Sequence, residues 1–373
     1  MSRIDALIAE LCPEGVELRA LGDVCTIQTG KLNANKAVAD GQFPFFTCSK
    51  EIARIDSYSW DSEAILLVGN GYLGDVKHYC GKFDAYQRTY VLTAFDAIIF
   101  PRFLYFILQN NFTAWAEKYV KQGSVPYIVL GTVQDFKIPI PPLEVQREIV
   151  KVLDTFTELE AELEAELEAR RRQYQYYRDA LLSFDGREDV RWATLETISE
   201  SISAGGDLPQ NYRKGQTSPS ADFPYPIYSN GSDENALYGF TDFYKIEKDA
   251  VTISARGTIG FHAIRKGKFT PIVRLITLIP DQRVITTEFL NYALDVTEIG
   301  HSGGSIPQLT VPNVKSIQIP VPPLAIQREI VAILDRFDAL VNDLSSGLPA
   351  EIAARRKQYA HYRNRLLTFR EAS

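Results

Sequence analysis

Between residues 142 and 184 apolar side chains recur at steps of three, four or seven: Val145, Ile149, Val152, Phe156, Leu159, Leu163, Leu167, Tyr174, Tyr177 and Leu181. That period places them on one stripe of an α-helix. Pro141-Pro142 marks its start, because proline is tolerated only in the first turn. One unbroken helix over this stretch would run roughly 65 Å. A second stripe, Ile326, Ile330, Leu334, Phe337, Leu344, Ile352, Tyr359, Tyr362 and Leu366, follows near the C-terminus, where Ser345-Ser-Gly-Leu-Pro349 is expected to break or kink it. A long apolar stripe has to be buried, and each is the natural partner of the other. The pattern therefore predicts two antiparallel helices on a coiled-coil-like seam, with a domain held at either end.

The rest of the chain reads as mixed α/β. Short β-rich runs, Ala64–Val68, Thr89–Leu92, Ala250–Ser254 and Leu275–Ile279, are punctuated by Gly, Asn and Asp turns. A helical patch follows each group, Arg102–Gln109 and Glu288–Asp295, and residues 1–13 read as a short amphipathic helix.

These elements occur twice. Ile138–Phe156 returns as Ile319–Phe337 with 13 of 19 positions identical. Ala169-Arg-Arg-Arg-Gln-Tyr-Gln-Tyr-Tyr-Arg178 returns as Ala354-Arg-Arg-Lys-Gln-Tyr-Ala-His-Tyr-Arg363. Upstream the match is weaker but in order: Val16–Leu21 with Val190–Leu195, Gly81-Lys82-Phe83 with Gly267-Lys268-Phe269, Arg88 with Arg274, and Gly123-Ser124-Val125-Pro126 with Gly304-Ser305-Ile306-Pro307. The chain is two copies of one unit, an internal pseudo-two-fold repeat. Each copy has a divergent part (14–141 and 187–322) followed by a nearly invariant helical part (142–186 and 323–373).

Charge separates the parts. The net values are −1 for residues 1–13, −1 for 14–141, −5 for 142–186, −2 for 187–322 and +2 for 323–373. No part has the uniform basicity of many nucleic-acid binders. The acidity, however, is concentrated in Glu158–Glu168, which leaves the divergent parts near neutral and free to carry a local positive face. That acidic run consists of three tandem Glu-Leu-Glu-Ala tetrapeptides, Glu158–Ala169. It is a run of good helix formers standing where the second copy has its Ser345–Pro349 break. Repeats of this kind can change length by one unit, about 6 Å of helix, and keep the stripe nearly in phase. A spacer so adjustable suits two domains engaging one rigid, periodic object such as duplex DNA.

Four cysteines, Cys12, Cys25, Cys48 and Cys80, show no metal or redox spacing and read as reduced thiols. No apolar stretch is long enough to cross a bilayer, and the N-terminus carries charges where a signal peptide would be apolar. A cytoplasmic protein with no membrane partner is expected.

The Ile-Pro-[Ile/Val]-Pro-Pro-Leu-x-x-Gln-Arg-Glu-Ile-Val opening, the Ala-Arg-Arg-x-Gln-Tyr-x-x-Tyr-Arg ending and the tandem tetrapeptides resemble the specificity subunits of Type I restriction–modification enzymes. The likeness spans the whole chain, and finding the motif pair twice makes it specific. It implies an α/β fold with two target-recognition domains, 14–141 and 187–322, each reading one half of a bipartite target in double-stranded DNA. Spacer helices, 142–186 and 323–373, would set the gap and dock two methyltransferase subunits, with restriction subunits joining through those. Divergent recognition domains imply an asymmetric target. The first helix lacks the Gly-Leu-Pro break of the second, a departure the family tolerates where tetrapeptides stand there.

A catalytic role finds little support. Gly69-Asn-Gly-Tyr-Leu-Gly74 matches a dinucleotide-binding pattern after an apolar strand. The residues before Gly81 are too few for the helix such a site needs, and Ala255-Arg-Gly-Thr-Ile-Gly260 lacks the first glycine. A turn whose glycines allow close backbone approach is the better reading. There is no Walker A sequence, no Asn/Asp-Pro-Pro-aromatic methyltransferase motif and no metal spacing among His78, His262, His301 and His361. Neither cofactor nor metal is expected.

Base edges call for amides and guanidinium groups, and phosphates for Lys, Ser or backbone amides. On those grounds the DNA-binding candidates are Asn70, Lys82, Gln87, Arg88, Ser124, Arg256, Lys268, Arg274 and Ser305, many at repeat-equivalent positions. Arg88 and Arg274 lie in β-like runs and could equally pair with an internal carboxylate. Ser124 and Ser305 could instead cap a turn. Tyr174, Tyr177, Arg178, Tyr359, Tyr362 and Arg363 are candidates for partner docking, with ordinary seam packing as the alternative. A scaffold binding protein or peptide ligands is the competing function.

Overall fold

The computed structural model describes residues 3–71, 73–184, 186–187, 190–299 and 308–372. It divides into two compact units, Met1–Glu164 with Glu351–Ser373, and Ala165–Ala350.

In the first unit six strands form one sheet. They are β1 (Thr26–Thr29), β2 (Phe43–Phe46), β3 (Ala53–Ile55), β4 (Trp60–Val68), β5 (Val76–Ala85) and β6 (Thr89–Thr93), in the order β1-β6-β4-β5-β2-β3. The central strand β4 ends in Ala64-Ile-Leu-Leu-Val68, all buried, as expected of a strand covered on both faces. Helix α2 (Pro101–Tyr119) supplies Phe103, Leu104, Phe106 and Ile107 to the core. The N-terminal helix α1 (Arg3–Leu11) inserts Ile4 into the same cluster.

The second unit repeats this plan with a break. Strands β7 (Ser199–Ala204), β14 (Leu275–Pro280), β11 (Ala250–Ser254) and β12 (His262–Arg265) form one sheet, in the order β7-β14-β11-β12. A second sheet has the order β8 (Tyr212–Lys214), β10 (Leu237–Thr241), β9 (Tyr225–Tyr228), β13 (Thr270–Pro271). The long β5 corresponds to β12 plus β13. In both units the chain after that interruption pairs parallel with an earlier strand, Phe45 with Asp84 and Ile227 with Thr270. Helix α4 (Thr287–Asp295) takes the place of α2.

The repeated Pro-Pro-Leu-x-x-Gln motif has a clear physical basis. Gln146 is fully buried; its Oε1 accepts the Phe100 N–H at 2.8 Å, and its Nε2 donates to the carbonyls of Ile98 at 2.8 Å and Pro141 at 2.7 Å. Gln327, equally buried, does the same with the Thr286 N–H at 2.9 Å and the carbonyls of Val284 at 2.9 Å and Pro322 at 2.8 Å. Each amide joins the start of a long helix to the segment leading into the core helix. It satisfies three backbone groups that would otherwise lie dry and unpaired.

Helix α3 (Leu143–Leu182) is a single helix of 40 residues. The C-terminal stripe is two helices, α5 (Leu324–Asn342) and α6 (Leu348–Leu366), with Pro349 in the first turn of the second. The break therefore lies at 343–347, slightly earlier than the proline suggests. The Asp343 carboxylate accepts the Ser345 N–H at 2.7 Å and its hydroxyl at 2.6 Å, and it also accepts from Ser346. Gly347 is required there, since a Cβ would lie 2.5 Å from the Ala339 carbonyl oxygen. In the first unit, α3 and α6 pack antiparallel. Phe156 meets Tyr362 at 5.6 Å and Tyr359 at 5.9 Å, while Arg356, earlier in α6, bonds Glu160 at 2.6 Å and also Glu164, later in α3. Glutamates of the tetrapeptides are thus ion-pair partners as well as a solvated face.

Candidate nucleic-acid interface

One corner of the fold is built twice from the same backbone hydrogen bonds. Strand β4 ends at Val68 and turns into β5 through Gly71 and Gly74, whose φ values are +71° and +81°. Strand β11 ends at Ser254 and turns through Gly257 and Gly260, with φ of +77° and +84°. Only glycine takes such angles freely, which is why these residues recur when their neighbours do not. Each turn leads into a strand, β5 or β12, and not into a helix, so the dinucleotide-binding reading of Gly69–Gly74 fails on geometry.

A second turn closes on the first. The Arg88 carbonyl accepts the Gly69 N–H at 2.9 Å, and the Arg274 carbonyl accepts the Ala255 N–H at 2.9 Å. Both arginines lie in tight turns just before β6 and β14, not within the strands as their β-rich surroundings suggested. Arg274 has φ of +70°, a left-handed conformation that costs a non-glycine residue about 1 kcal/mol. Both side chains are exposed, and among the described residues neither forms an ion pair. The internal-carboxylate alternative is therefore not what the structure contains. The Arg88 guanidinium lies 5.8 Å from the Tyr127 ring centre.

Two further segments complete each corner. The Ile128 N–H donates to the Gly69 carbonyl at 3.0 Å, and the Leu309 N–H to the Ala255 carbonyl at 2.9 Å. Cys48 donates to the Asn70 side-chain oxygen at 2.7 Å, and Asn230 Nδ2 donates to the Arg256 carbonyl at 2.7 Å. Burial pushes the Cys48 thiol up from its ordinary range, so it stays protonated as a donor. The frame is common to both copies, while the side chains on it differ: Asn70 against Arg256, Tyr127 against Gln308, Cys48 against Asn230. The Arg256 side chain, like Arg88 and Arg274, forms no ion pair among the described residues.

The remaining candidates are less concentrated. Gln87 sits beside Arg88, its amide donating to Asn33 at 3.0 Å. Ser124 lies in an exposed loop closed by the Lys121–Tyr127 backbone pair, and its hydroxyl makes no hydrogen bond among the described residues, so it does not cap the turn. Ser305 lies outside the described residues. Lys82 stands opposite Asp61 near the start of β4, away from the corner at its end, with its ammonium 4.7 Å from the Tyr58 ring centre. Lys268 repeats this over Tyr244 at 4.6 Å and also meets Glu247 at 3.3 Å. The Tyr244 hydroxyl and then Glu247 hold its ammonium above the usual range. Sequence reasoning missed Tyr127, Gln308, Cys48 and Asn230. The signal for the last two was Pro44-Phe-Phe-Thr-Cys48 against Pro226-Ile-Tyr-Ser-Asn230, a repeat too short to stand out alone.

On the long helices, Tyr362 stacks on Phe156 at 25° and Tyr177 stacks on Phe337 at 25° and 5.6 Å. Tyr174 lies 6.5 Å from Phe337, with burial pushing its phenol up to about 12. These tyrosines, with Tyr359, close helix seams. Arg178 bonds its neighbour Asp179 at 2.8 Å, and Arg363 lies 5.4 Å from the Tyr359 ring centre.

No helix among the described residues is long and apolar enough to cross a membrane, and no group of three or more His, Cys, Asp or Glu among them could hold a metal ion. The profile of the Type I restriction modification DNA specificity domain matches residues 13–169 and 210–354. A Mycoplasma pneumoniae protein named as a type I specificity subunit is 34% identical over 85% of this chain and 97% of its own length. The EcoDI specificity subunit of Escherichia coli is 29% identical over 87% of this chain and 81% of its own. The fold is that of the S subunit of a Type I restriction–modification system from M. genitalium, with a TM-score of 0.63 at 20% identity over 94% of this chain and 96% of that one. With the profile matched in both copies of the repeat, the chain belongs to the family of Type I restriction–modification DNA specificity subunits.

Proposed function

We propose that the chain reads an asymmetric, bipartite sequence in duplex DNA, residues 14–141 reading one half and 187–322 the other. The observation that carries this reading is the duplicated corner. One backbone frame presents Asn70, Arg88 and Tyr127 in one copy and Arg256, Arg274 and Gln308 in the other. A shared frame gives both domains the same approach to a groove, and the altered side chains give each its own bases. Gln87 and Ser124 extend the corner, Ser305 is included only as the repeat counterpart of Ser124 in sequence, and Lys82 and Lys268 serve as phosphate contacts. In this reading the helices of 142–186 and 323–373 set the gap and dock two methyltransferase subunits, which bring in restriction subunits. Arg178 and Arg363 are the principal docking residues proposed on those helices, with the exposed faces of Tyr177 and Tyr362 beside them, while Tyr174 and Tyr359 pack in the seams. Arg178 also lines a cleft of about 550 Å³ with the exposed Trp192.

The test is methylome mapping of a host carrying the system with Arg88→Ala or Arg274→Gly, alongside titration of the assembled complex with duplex DNA at several salt concentrations. Loss of a base contact should weaken binding by roughly 5- to 150-fold and relax one half-site only. A loss that is equal at both half-sites, or none, would refute the assignment.

A further inference from the structure

The two copies differ in one respect that the repeat itself makes visible. In the first unit, α1 lies across the start of α3 and the end of α6. Arg3 reaches Glu148 at 3.4 Å, Asp5 meets Arg365 at 2.9 Å, and Ile4, Leu7 and Ile8 join the apolar cluster holding Val145, Ile149, Val150 and Leu366. The terminal segments are tied beside it, the Arg370 carbonyl accepting the Val16 N–H at 2.8 Å and the Ala372 N–H donating to the Val16 carbonyl at 3.1 Å. In the second unit the chain runs on in sequence from Phe184 to Val190 where the first unit has its two termini, and no described helix takes the place of α1.

Its seat is nevertheless present. Aligning the repeats turns Val145, Ile149, Val150 and Leu366 into Ile326, Ile330, Val331 and Leu181, apolar at every position, and Glu148 into Glu329. Val145, Val150 and Leu366 are buried, whereas Ile326, Val331 and Leu181 are only half-buried. Glu148 is half-covered, while Glu329 is exposed and forms no ion pair among the described residues. This is the burial difference that an absent α1 would leave. Of its two ion pairs one partner persists, Glu329, and one is lost, because Ala180 stands where Arg365 does.

We infer that this face of the second unit is a docking site for an amphipathic helix of a partner protein, with the side-chain pattern of α1: apolar residues at i, i+3 and i+4, and a basic residue just before the first of them to reach Glu329. No acidic residue is needed at the place of Asp5. The occupant is a partner and not a second copy of this chain, because α1 of each copy is already seated on its own first unit. The repeat thus offers two equivalent seats and α1 fills one, which leaves a single site per chain.

The probe is a labelled synthetic peptide of residues 1–13, titrated into the full chain and followed by fluorescence anisotropy and NMR. One peptide should bind per chain. Ile326→Asp should abolish binding while the circular dichroism spectrum is unchanged. Ala180→Arg, a change at an exposed site, should tighten binding about two- to five-fold by restoring the partner of Asp5, the size expected of an exposed ion pair. An Asp5→Ala peptide should lose that gain and no more. Absence of binding up to millimolar peptide, binding that ignores Ile326→Asp, or indifference to Ala180→Arg would each overturn the inference.

Discussion

Replacing Gln146 by Met removes an amide while keeping much of the volume, so the result reports on hydrogen bonds more than on a cavity. Three backbone groups lose their partner: the Phe100 N–H and the carbonyls of Ile98 and Pro141. The site is fully buried, so water cannot replace the amide without local opening. A buried backbone group left unpaired costs about 1–3 kcal/mol. Partial relaxation favours the lower end of that range, which gives a loss of about 3 kcal/mol. For a unit of this size each kcal/mol is worth about 2–4 °C, so unfolding of the first unit should move down by roughly 6–12 °C. Gln327→Met should do the same to the second unit, because its three bonds are equivalent. Urea unfolding followed by hydrogen exchange of each core separates the two. A loss below about 1 kcal/mol in either variant would show that the amide is not what holds the helix start to the core.

Arg274→Gly should stabilise the second unit by about 1 kcal/mol in urea unfolding, because glycine takes the φ of +70° without strain, even as DNA binding weakens. A destabilised variant would mean that the arginine side chain contributes more to the fold than its turn costs. Hydrogen bonds from Ser345 and Ser346 lower the Asp343 carboxyl to about 2. A folded pKa below the unfolded one means that its contribution is complete above about pH 4 and is lost as pH falls towards 2. The stability difference between wild type and Asp343→Asn should therefore shrink across that window and stay flat above it. Deleting Glu162–Ala165 removes one tetrapeptide, about 6 Å of α3, together with one of the two glutamates that Arg356 holds. Methylome mapping should then return unchanged half-site bases with a shorter unread gap; an unchanged gap or altered half-sites would contradict the spacer role.

Much of the fold was legible because its signals are local. A stripe recurring every three or four residues can only be a helix face, and prolines mark where helices begin. Both rules hold for α3 and for the broken α5 and α6. The break was misplaced by a few residues because proline is as comfortable in the first turn of a helix as after its end, and Gly347 is the residue the turn requires. The buried Gln146 and Gln327 were visible only as a repeated letter, since two of the three partners of each lie 41 to 48 residues away in sequence.

The candidate site was harder to read for a related reason. Each corner is assembled from four segments spread over about 80 residues, and backbone hydrogen bonds, which carry no side-chain signature, hold it together. Sequence could find the members that repeat in kind: the glycines, whose positive φ demands them, and Arg88 with Arg274, whose residue type recurs although the turn conformation does not require it. It could not find Tyr127 or Cys48, whose counterparts Gln308 and Asn230 share a position but not a chemistry. Under the proposed reading, in which one frame is presented twice to two different sequences, this is the expected division. The frame is constrained and repeats, whereas the reading residues are free to diverge. On that reading, Arg88 and Arg274 make a contact of the same kind in each half-site, and the positions that agree in backbone and disagree in side chain, Asn70 with Arg256 and Tyr127 with Gln308, make the two half-sites differ.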